Sequence, residues 1–181
     1  AISRSRFWGA PIPVWGCERC KTYMVLGSMD DLRKKGAENI TKIILIRHGE
    51  SKKNVQHILD DSPRGFPLTH EGKKRAKEAA ASVKAQGTVD AVYSSPVERA
   101  VETARIIGKA VGKEVKVEER FREVDSGAWD GLKEGDPKLE TERGAYRALP
   151  PEVNYITKRG GTGESWEEVE RRMAEGLKSI L

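Results

Sequence analysis

The sequence has few cysteines, few aromatic residues and no long hydrophobic run. Two cysteines in 181 residues argue against the disulfide framework of a small secreted protein. No stretch reaches the roughly eighteen apolar residues that a membrane-spanning helix needs, and no signal-peptide pattern is present. The apolar content of 37% is still sufficient for a modest core. These features predict a cytoplasmic protein with no membrane partner.

The positive charge of the chain is concentrated at its amino terminus. Residues 1–42 carry +4 of the net +5, from eight Lys/Arg against four Asp/Glu, while the remainder carries +1, from 25 against 24. A basic segment of this kind is compatible with a nucleic-acid partner. An ordinary solvated surface is the simpler interpretation of the charge alone.

A short apolar run followed by RHGE is the main candidate for a reactive site. Residues 43–51 read IILIRHGES, and the apolar run that ends at a glycine predicts a buried strand over 42–46. In α/β proteins, reactive side chains gather where strands end. His48 can act there as a nucleophile, and the guanidinium of Arg47 can hold an anion. A core or capping histidine is the structural alternative.

The rest of the chain alternates short strands with helices. The pattern predicts, in order, a helix over 69–86, a strand over 89–93, a helix from near Pro96, a strand over 114–117 and a last helix over 164–181. This alternation predicts a parallel sheet covered by helices on both faces. Residues 118–163 are too long for an ordinary connection and predict a lid, with a helix at about 136–147 inside it.

Several further motifs follow RHGE in a fixed order. They are Asn54, PLT with Gly72, SSP with Arg99, Glu123 with Gly127 and Trp129, and GES at 163–165. In this order they resemble the histidine phosphatase superfamily, in its phosphoglycerate-mutase-like branch, over residues 42–181. The resemblance implies a three-layer α/β fold. It also implies transfer or hydrolysis of small phosphomonoesters, without a metal or other cofactor.

The resemblance assigns a role to each matched position. His48 is expected to attack phosphorus and become a phosphohistidine, while Arg47 and Arg99 hold the phosphoryl oxygens. Glu123 matches the general acid, and burial under a lid is expected to raise its pKa. Asn54 is expected to bind substrate. The motifs do not distinguish a mutase from a phosphatase.

Two of these assignments have plain structural alternatives. Arg99 has Glu98 and Glu102 as close neighbours in sequence, so it can instead form a surface ion pair. Glu123 lies in the charged run EERFREVD and can instead be an exposed carboxylate.

The family also carries a second histidine, on a strand after the last helix. Residues 165–181 contain no histidine, and the helical spacing of apolar residues continues to Leu181. We therefore expect a domain truncated before that strand. Loss of one catalytic donor typically lowers a rate on the order of a hundredfold to a thousandfold, which predicts weak or absent activity.

Residues 1–40 differ from the rest and hold both cysteines. Cys17 and Cys20 form a C-x-x-C pair. Such a pair can be half of a tetrahedral zinc site, two free thiols or a redox pair. A short strand is predicted after it, at 23–26. The strings AISRSRFWG, PIPVW and VLGSMDDL resemble an internal segment of isoleucyl-tRNA synthetase. The resemblance implies a zinc-module-like appendage completed by a second cysteine pair, and a phosphatase-like domain inserted in a synthetase-like chain.

Three hypotheses about function follow. The first is a phosphoryl-transfer enzyme that acts through His48. The second is a noncatalytic insertion that supports tRNA binding or the zinc module of a synthetase, whose ATP-binding and aminoacylation parts are absent from this sequence. The third is a separate zinc or redox module at Cys17 and Cys20.

Overall fold

A computed structural model describes residues 14–16, 23–25, 41–62 and 65–181. The chain divides into two compact units, Ala1–Leu45 and Ile46–Leu181. Within the described ranges, none of the helices combines the length and the hydropathy that crossing a bilayer requires.

The first unit contains a short antiparallel strand pair. Strand β1 (Val14–Gly16) pairs with β2 (Tyr23–Val25), and Val14 lies opposite Val25. The strand expected at 23–26 is therefore confirmed. The half-site predicted at Cys17 and Cys20 lies outside the described residues, so zinc binding stays a prediction.

The second unit is predominantly helical in its described part. The helices are α1 (Lys52–Gln56), α2 (His70–Ala85), α3 (Glu98–Val111), α4 (Pro137–Arg147), α5 (Pro151–Ile156) and α6 (Trp166–Ile180). Three short 3₁₀ turns accompany them at Glu119–Phe121, Gly127–Trp129 and Arg159–Gly161. The predicted helices at 69–86 and 136–147 are confirmed, and α3 begins two residues after Pro96.

A parallel strand pair lies beside these helices. Strand β3 (Val92–Ser94) pairs with β4 (Val115–Val117) in parallel, with Val92 opposite Val115, and α3 connects the two strands. The parallel pairing expected from the sequence is confirmed. Within the described residues this sheet has two strands, so the wider three-layer arrangement stays a prediction.

The strand expected over 42–46 is wrong for this structure. These residues are in neither a helix nor a strand, and Leu45 is 87% exposed. A strand requires a hydrogen-bonded neighbour, and no described strand pairs with this segment. Apolar composition alone therefore does not make it a buried strand here.

The core forms where α2 packs against α3. Ala80 and Val83 of α2 contact Ile107 of α3, and all three are at least 94% buried. Helix α2 also approaches the RHGE segment closely at its first turn. A methyl group added at Gly72 would lie 2.0 Å from the carbonyl oxygen of Glu50, so only glycine permits this contact.

The segment 118–163 is folded rather than irregular. It contains α4, α5 and the three 3₁₀ turns, and Leu139 of α4 is fully buried. An antiparallel bridge joins Ile58 to Lys133, which holds the middle of the segment against the chain that follows α1. Its action as a lid stays a prediction.

Candidate active site

Arg99 is the buried centre of the candidate site. Its side chain is 1% exposed and its Nε donates a hydrogen bond to Nε2 of His48 at 3.3 Å. Its Nη1 contacts a carboxylate oxygen of Asp60 and its Nη2 contacts a carboxylate oxygen of Glu123, each at 3.3 Å. Three residues predicted from separate motifs, His48, Arg99 and Glu123, are thus brought together.

The surface alternative for Arg99 is wrong. Glu98 instead accepts a hydrogen bond from the backbone of Gly65, and Glu102 accepts one from the backbone of Leu68. The buried face of α3 therefore carries Arg99 into the site, and its neighbours in sequence serve the adjacent loop.

His48 presents one ring nitrogen to the site and uses the other to hold its orientation. Its Nδ1 lies 2.7 Å from the carbonyl oxygen of Gly49, and because a carbonyl only accepts, Nδ1 carries the proton. Nε2 is then the lone-pair nitrogen that faces Arg99. Burial, followed by the charges of Arg99 and Arg47, lowers the pKa of His48, although the Gly49 carbonyl opposes this. The neutral form of the ring therefore persists to a lower pH than in an ordinary histidine.

Helix α3 and the residue that caps α2 hold the RHGE segment in this position. The backbone N–H of Gly49 donates to Oγ1 of Thr103 at 3.0 Å, and that hydroxyl donates to the carbonyl oxygen of Arg99 at 2.8 Å. On the other side, the backbone N–H of Thr69 donates to the carbonyl oxygen of Glu50 at 2.9 Å. Thr103 and Arg99 lie one turn apart on α3. The same helix therefore holds the backbone next to His48 and carries Arg99.

The pKa of Glu123 moves in the opposite direction from the expectation. Burial by itself raises this pKa, but a hydrogen bond from the Val124 backbone and the charges of Lys53 and Arg99 outweigh burial and lower it. The expectation of a raised pKa is therefore wrong for the free chain. It considered burial alone, whereas the structure places two cations beside the carboxylate.

Arg47 and Asn54 lie less centrally than expected. Arg47 is exposed and forms no hydrogen bond or ion pair with any residue that the structure describes, although its charge acts on His48. The side-chain oxygen of Asn54 accepts from the backbone and hydroxyl of Ser51, both at 2.9 Å, and so caps α1. Their expected contacts with substrate stay predictions.

The sequence interpretation missed Lys53 and Asp60. The half-buried ammonium of Lys53 donates to the carbonyl oxygen of Asp60 at 2.7 Å, and Arg99 donates to the same oxygen at 3.3 Å. Burial and the charge of Arg99 lower the pKa of Lys53. Both residues lie between the RHGE and PLT motifs, at positions that the motifs do not include. The acidic pair at Asp60 and Asp61 was the one available signal.

The cluster combines a neutral nucleophile, two cations and two carboxylates. A lone-pair nitrogen beside a guanidinium can attack a phosphoryl group whose oxygens the cation holds. Among the described residues, no group of three or more His, Cys, Asp or Glu side chains is arranged to hold a metal ion. The donors of the cluster can bind an anion and place a nucleophile beside it.

Comparison with known proteins gives a consistent picture for most of the chain. Residues 43–181 match the family profile of the Histidine phosphatase superfamily (branch 1). A 2,3-bisphosphoglycerate-dependent phosphoglycerate mutase from Thermoplasma acidophilum is 34% identical over 136 residues, which cover 75% of this chain and 64% of that protein. Phosphoserine phosphatase 1 from Hydrogenobacter thermophilus is 38% identical over 145 residues, which cover 78% and 64%.

A solved structure supports the α/β fold. Bacillus stearothermophilus YhfR aligns with a TM-score of 0.63 at 27% identity, over 74% of this chain and 64% of that one. The chain spans less than two thirds of the length of each of these relatives. Catalysis in this superfamily is metal-independent, in agreement with the expectation of no cofactor for phosphoryl chemistry.

A short part of the chain is similar to a different class of protein. Isoleucine–tRNA ligase from Methanocaldococcus jannaschii is 59% identical over 34 residues, which cover 19% of this chain and 3% of that protein. The match is high in identity but too short to establish the identity of a whole domain.

Proposed function

Because the chain belongs to the histidine phosphatase superfamily (branch 1), we propose that its domain transfers or hydrolyses phosphomonoesters through a phosphohistidine at His48. One observation carries the proposal. The lone-pair nitrogen of His48 lies 3.3 Å from Nε of the fully buried Arg99, while the other ring nitrogen is held by Gly49. This is the protonation state that a nucleophile requires.

The reaction proceeds in two displacements at phosphorus. In the first, Nε2 of His48 bonds to phosphorus as the bond to the ester oxygen breaks, and Glu123 gives its proton to the leaving oxygen. In the second, water adds to phosphorus and passes a proton to Glu123. The nitrogen–phosphorus bond breaks, which releases phosphate and restores His48. Transfer to a second alcohol in place of water is the mutase reaction.

The low pKa of free Glu123 is compatible with this role. The charges that lower it, Lys53 and Arg99, are the same charges that attract a phosphoryl group. When a phosphate dianion binds beside the carboxylate, its negative charge partly cancels that effect and raises the pKa of Glu123. Substrate binding then supplies the protonated acid that the first step consumes.

The substrate is proposed to be a small phosphorylated metabolite. The relatives bear the names of a phosphoglycerate mutase and a phosphoserine phosphatase, both of which act on phosphate esters of small acids. Asn54 and Arg47 are proposed to contact the substrate, Arg47 by moving its exposed guanidinium over the bound phosphoryl group.

The experiment is a trapping assay that does not depend on turnover. The chain is mixed with p-nitrophenyl phosphate, 3-phosphoglycerate or phosphoserine, quenched in base, and examined by mass spectrometry for a phosphorylated histidine. We expect the label on His48, loss of the label in His48→Asn, and retention in His57→Asn, whose side chain is 68% exposed and pairs with Glu134. A label on another residue, or no label with any ester, contradicts the proposal.

A second candidate function rests on the synthetase-like segment. The 34-residue similarity supports a second proposal, that the domain is an insertion in an isoleucyl-tRNA synthetase-like protein. In that proposal the domain assists tRNA binding or stabilises a zinc module. Salt-sensitive tRNA binding is expected to fall when the basic residues Arg4, Arg6, Arg33, Lys34 and Lys35 are neutralised and to be unaffected by His48→Ala. Metal analysis tests Cys17 and Cys20: zinc bound to the chain and lost on their replacement supports the half-site.

A further inference from the structure

A cavity of 530 Å³ lies among α4, α5 and the start of α6. We call it the α4–α6 cavity. Its lining combines three arginines with three aromatic rings: Arg143, Arg147, Arg159, Trp129, Tyr146 and Trp166. His48, Arg99 and Glu123 do not line it. The cavity therefore has its own chemistry, which the phosphoryl-transfer cluster does not use.

Arg159 is buried in this cavity wall without a full set of partners. The residue is 7% exposed, and its Nη1 is a buried atom that has no hydrogen-bond partner among the described residues. Its guanidinium lies over the ring of Trp166, 3.7 Å from the ring centroid. A buried cationic nitrogen without a partner is unfavourable. A ligand that brings an anionic oxygen would remove this cost.

The carboxylates near Arg159 do not neutralise it through direct contact. Glu164 is occupied by Arg122 and Arg172, both of which form ion pairs with it. Burial lowers the pKa of Arg159, and the charges of Tyr146, Asp61, Glu164 and Glu123 only partly oppose this effect. Within the described residues, the guanidinium therefore has no carboxylate in direct contact, and its positive charge favours an anion in the cavity beside it.

Two of the aromatic residues in the lining are held by neighbouring groups, and the third is exposed. Trp129 meets Tyr146 edge to face, with ring centroids 5.5 Å apart, and its indole N–H donates to Glu142 at 2.7 Å. The hydroxyl of Tyr146 lies 3.2 Å from the carbonyl oxygen of Asn154. Trp166, by contrast, is 45% exposed. A flat ring can pack against such surfaces with little loss of conformational entropy.

Two further arginines stand on α4 at the edge of the cavity. Arg147 forms no ion pair with any residue in the described ranges, and Arg143 lies 3.9 Å from Glu140, at the limit of an ion pair. They are four residues apart and so lie on the same face of the helix. Together with Arg159 they make the cavity strongly cationic.

We propose that the α4–α6 cavity binds a ring-bearing anion, a molecule that joins a planar ring to a phosphate, sulfonate or carboxylate group. The arginines bind the anionic group through charge-assisted hydrogen bonds, and the ring packs on the aromatic lining. The proposal concerns binding alone and does not depend on phosphoryl transfer at His48.

Nuclear magnetic resonance of the indole N–H groups tests the proposal with a readout that reports position. The chain is titrated with adenosine 5′-monophosphate while the signals of Trp129 and Trp166 are followed. We expect saturable shifts of both signals, and binding at least about tenfold weaker for adenosine or inorganic phosphate alone, because each carries half of the recognised chemistry. Shifts absent at both tryptophans overturn the proposal.

Substitutions locate the charge that matters. Arg159→Met and Arg147→Met are each expected to weaken binding by about ten- to hundredfold, the range for loss of a charge-assisted hydrogen bond. Arg171→Met, an exposed arginine of α6 outside the cavity lining, is the matched control and is expected to leave binding unchanged. Equal weakening in all three variants would indicate a general charge effect and overturn the assignment. Circular dichroism checks that each variant is folded.

Discussion

Two buried arginines, Arg99 and Arg159, differ in the partners of their guanidinium groups. Arg99 is 1% exposed and its nitrogens contact His48, Asp60 and Glu123. Arg159 is 7% exposed, yet one of its terminal nitrogens has no partner among the described residues. The first guanidinium is held by protein groups on all sides, whereas the second is held on one side by an aromatic ring.

The difference between the two arginines agrees with the role proposed for each site. A guanidinium fixed by two carboxylates keeps one geometry, which is what in-line attack on a phosphoryl group requires. A guanidinium that has a nitrogen without a protein partner can gain a hydrogen bond from a ligand, and it contributes less to the stability of the fold. The comparison therefore predicts that Arg99 is important for stability and that Arg159 is important for binding.

The largest expected effect is that of removing Arg99. Arg99→Met leaves the carboxylate of Asp60, which is 7% exposed, without its ion pair. Removal of one partner from a buried pair typically costs about 3–5 kcal/mol of unfolding free energy. Urea unfolding measures this loss, with Arg105→Met, an exposed arginine of the same helix, as the control. A loss equal to that of the control would remove the distinction between the two arginines.

The next effect concerns the acid dependence of stability. The pKa of Glu123 is lower in the folded chain than its ordinary value of 4.5, so the unfolded chain binds this proton more readily. The resulting stabilisation is fully present above pH 4.5 and is lost as the pH falls through the folded-state pKa. Glu123→Gln is therefore expected to be less stable than the parent at neutral pH, with a difference that shrinks in acid. A difference independent of pH would contradict the pairing with Arg99.

A smaller effect is expected from Lys53. Lys53→Met removes a charge that lowers the pKa of Glu123, so that pKa is expected to rise toward 4.5. Carbon NMR titration of the glutamate carboxyl groups measures the shift. Lys52→Met, an exposed neighbour on the same short helix, is the control and should leave Glu123 unchanged. If both variants behave alike, Lys53 does not belong to the site.

The smallest effect on stability is expected from Arg159. Arg159→Met loses stacking on Trp166, which contributes about 0.5–2 kcal/mol, but it also removes a buried cation with an unpartnered nitrogen. These changes offset each other, so the unfolding free energy should stay within about 1 kcal/mol of the parent. Thermal and urea unfolding provide the measurement. A loss as large as that of Arg99→Met would mean that Arg159 is structural.

Local signals in the sequence predicted the four longer helices, whereas the short helices α1 and α5 were not predicted. Thr69 caps α2 by accepting a hydrogen bond from the Gly72 backbone, and Asp136 caps α4 just before Pro137. These signals act within a few residues, so the sequence displays them directly. The strand expected at 42–46 depended instead on a distant neighbour, and apolar residues alone did not supply one.

The candidate site was predictable where motifs named its residues and not where contacts created it. His48, Arg99 and Glu123 come from separate motifs, and the structure joins them. Asp60 and Lys53 belong to no motif. The chain after α1 brings Asp60 to Arg99, and Lys53 of α1 contacts the carbonyl oxygen of Asp60. The direction of the Glu123 pKa shift was missed in part for the same reason, since the charges of Lys53 and Arg99 add to the hydrogen bond from the adjacent Val124 backbone.

The central claim is that His48 offers a neutral Nε2 to the phosphoryl group. Proton–nitrogen NMR of the histidine ring measures this directly, because protonated and lone-pair ring nitrogens resonate at different frequencies. The account predicts a proton on Nδ1, a lone pair on Nε2, and a pKa for His48 below its ordinary value of 6.5. A proton on Nε2 in the neutral ring, or a pKa above 6.5, would contradict it.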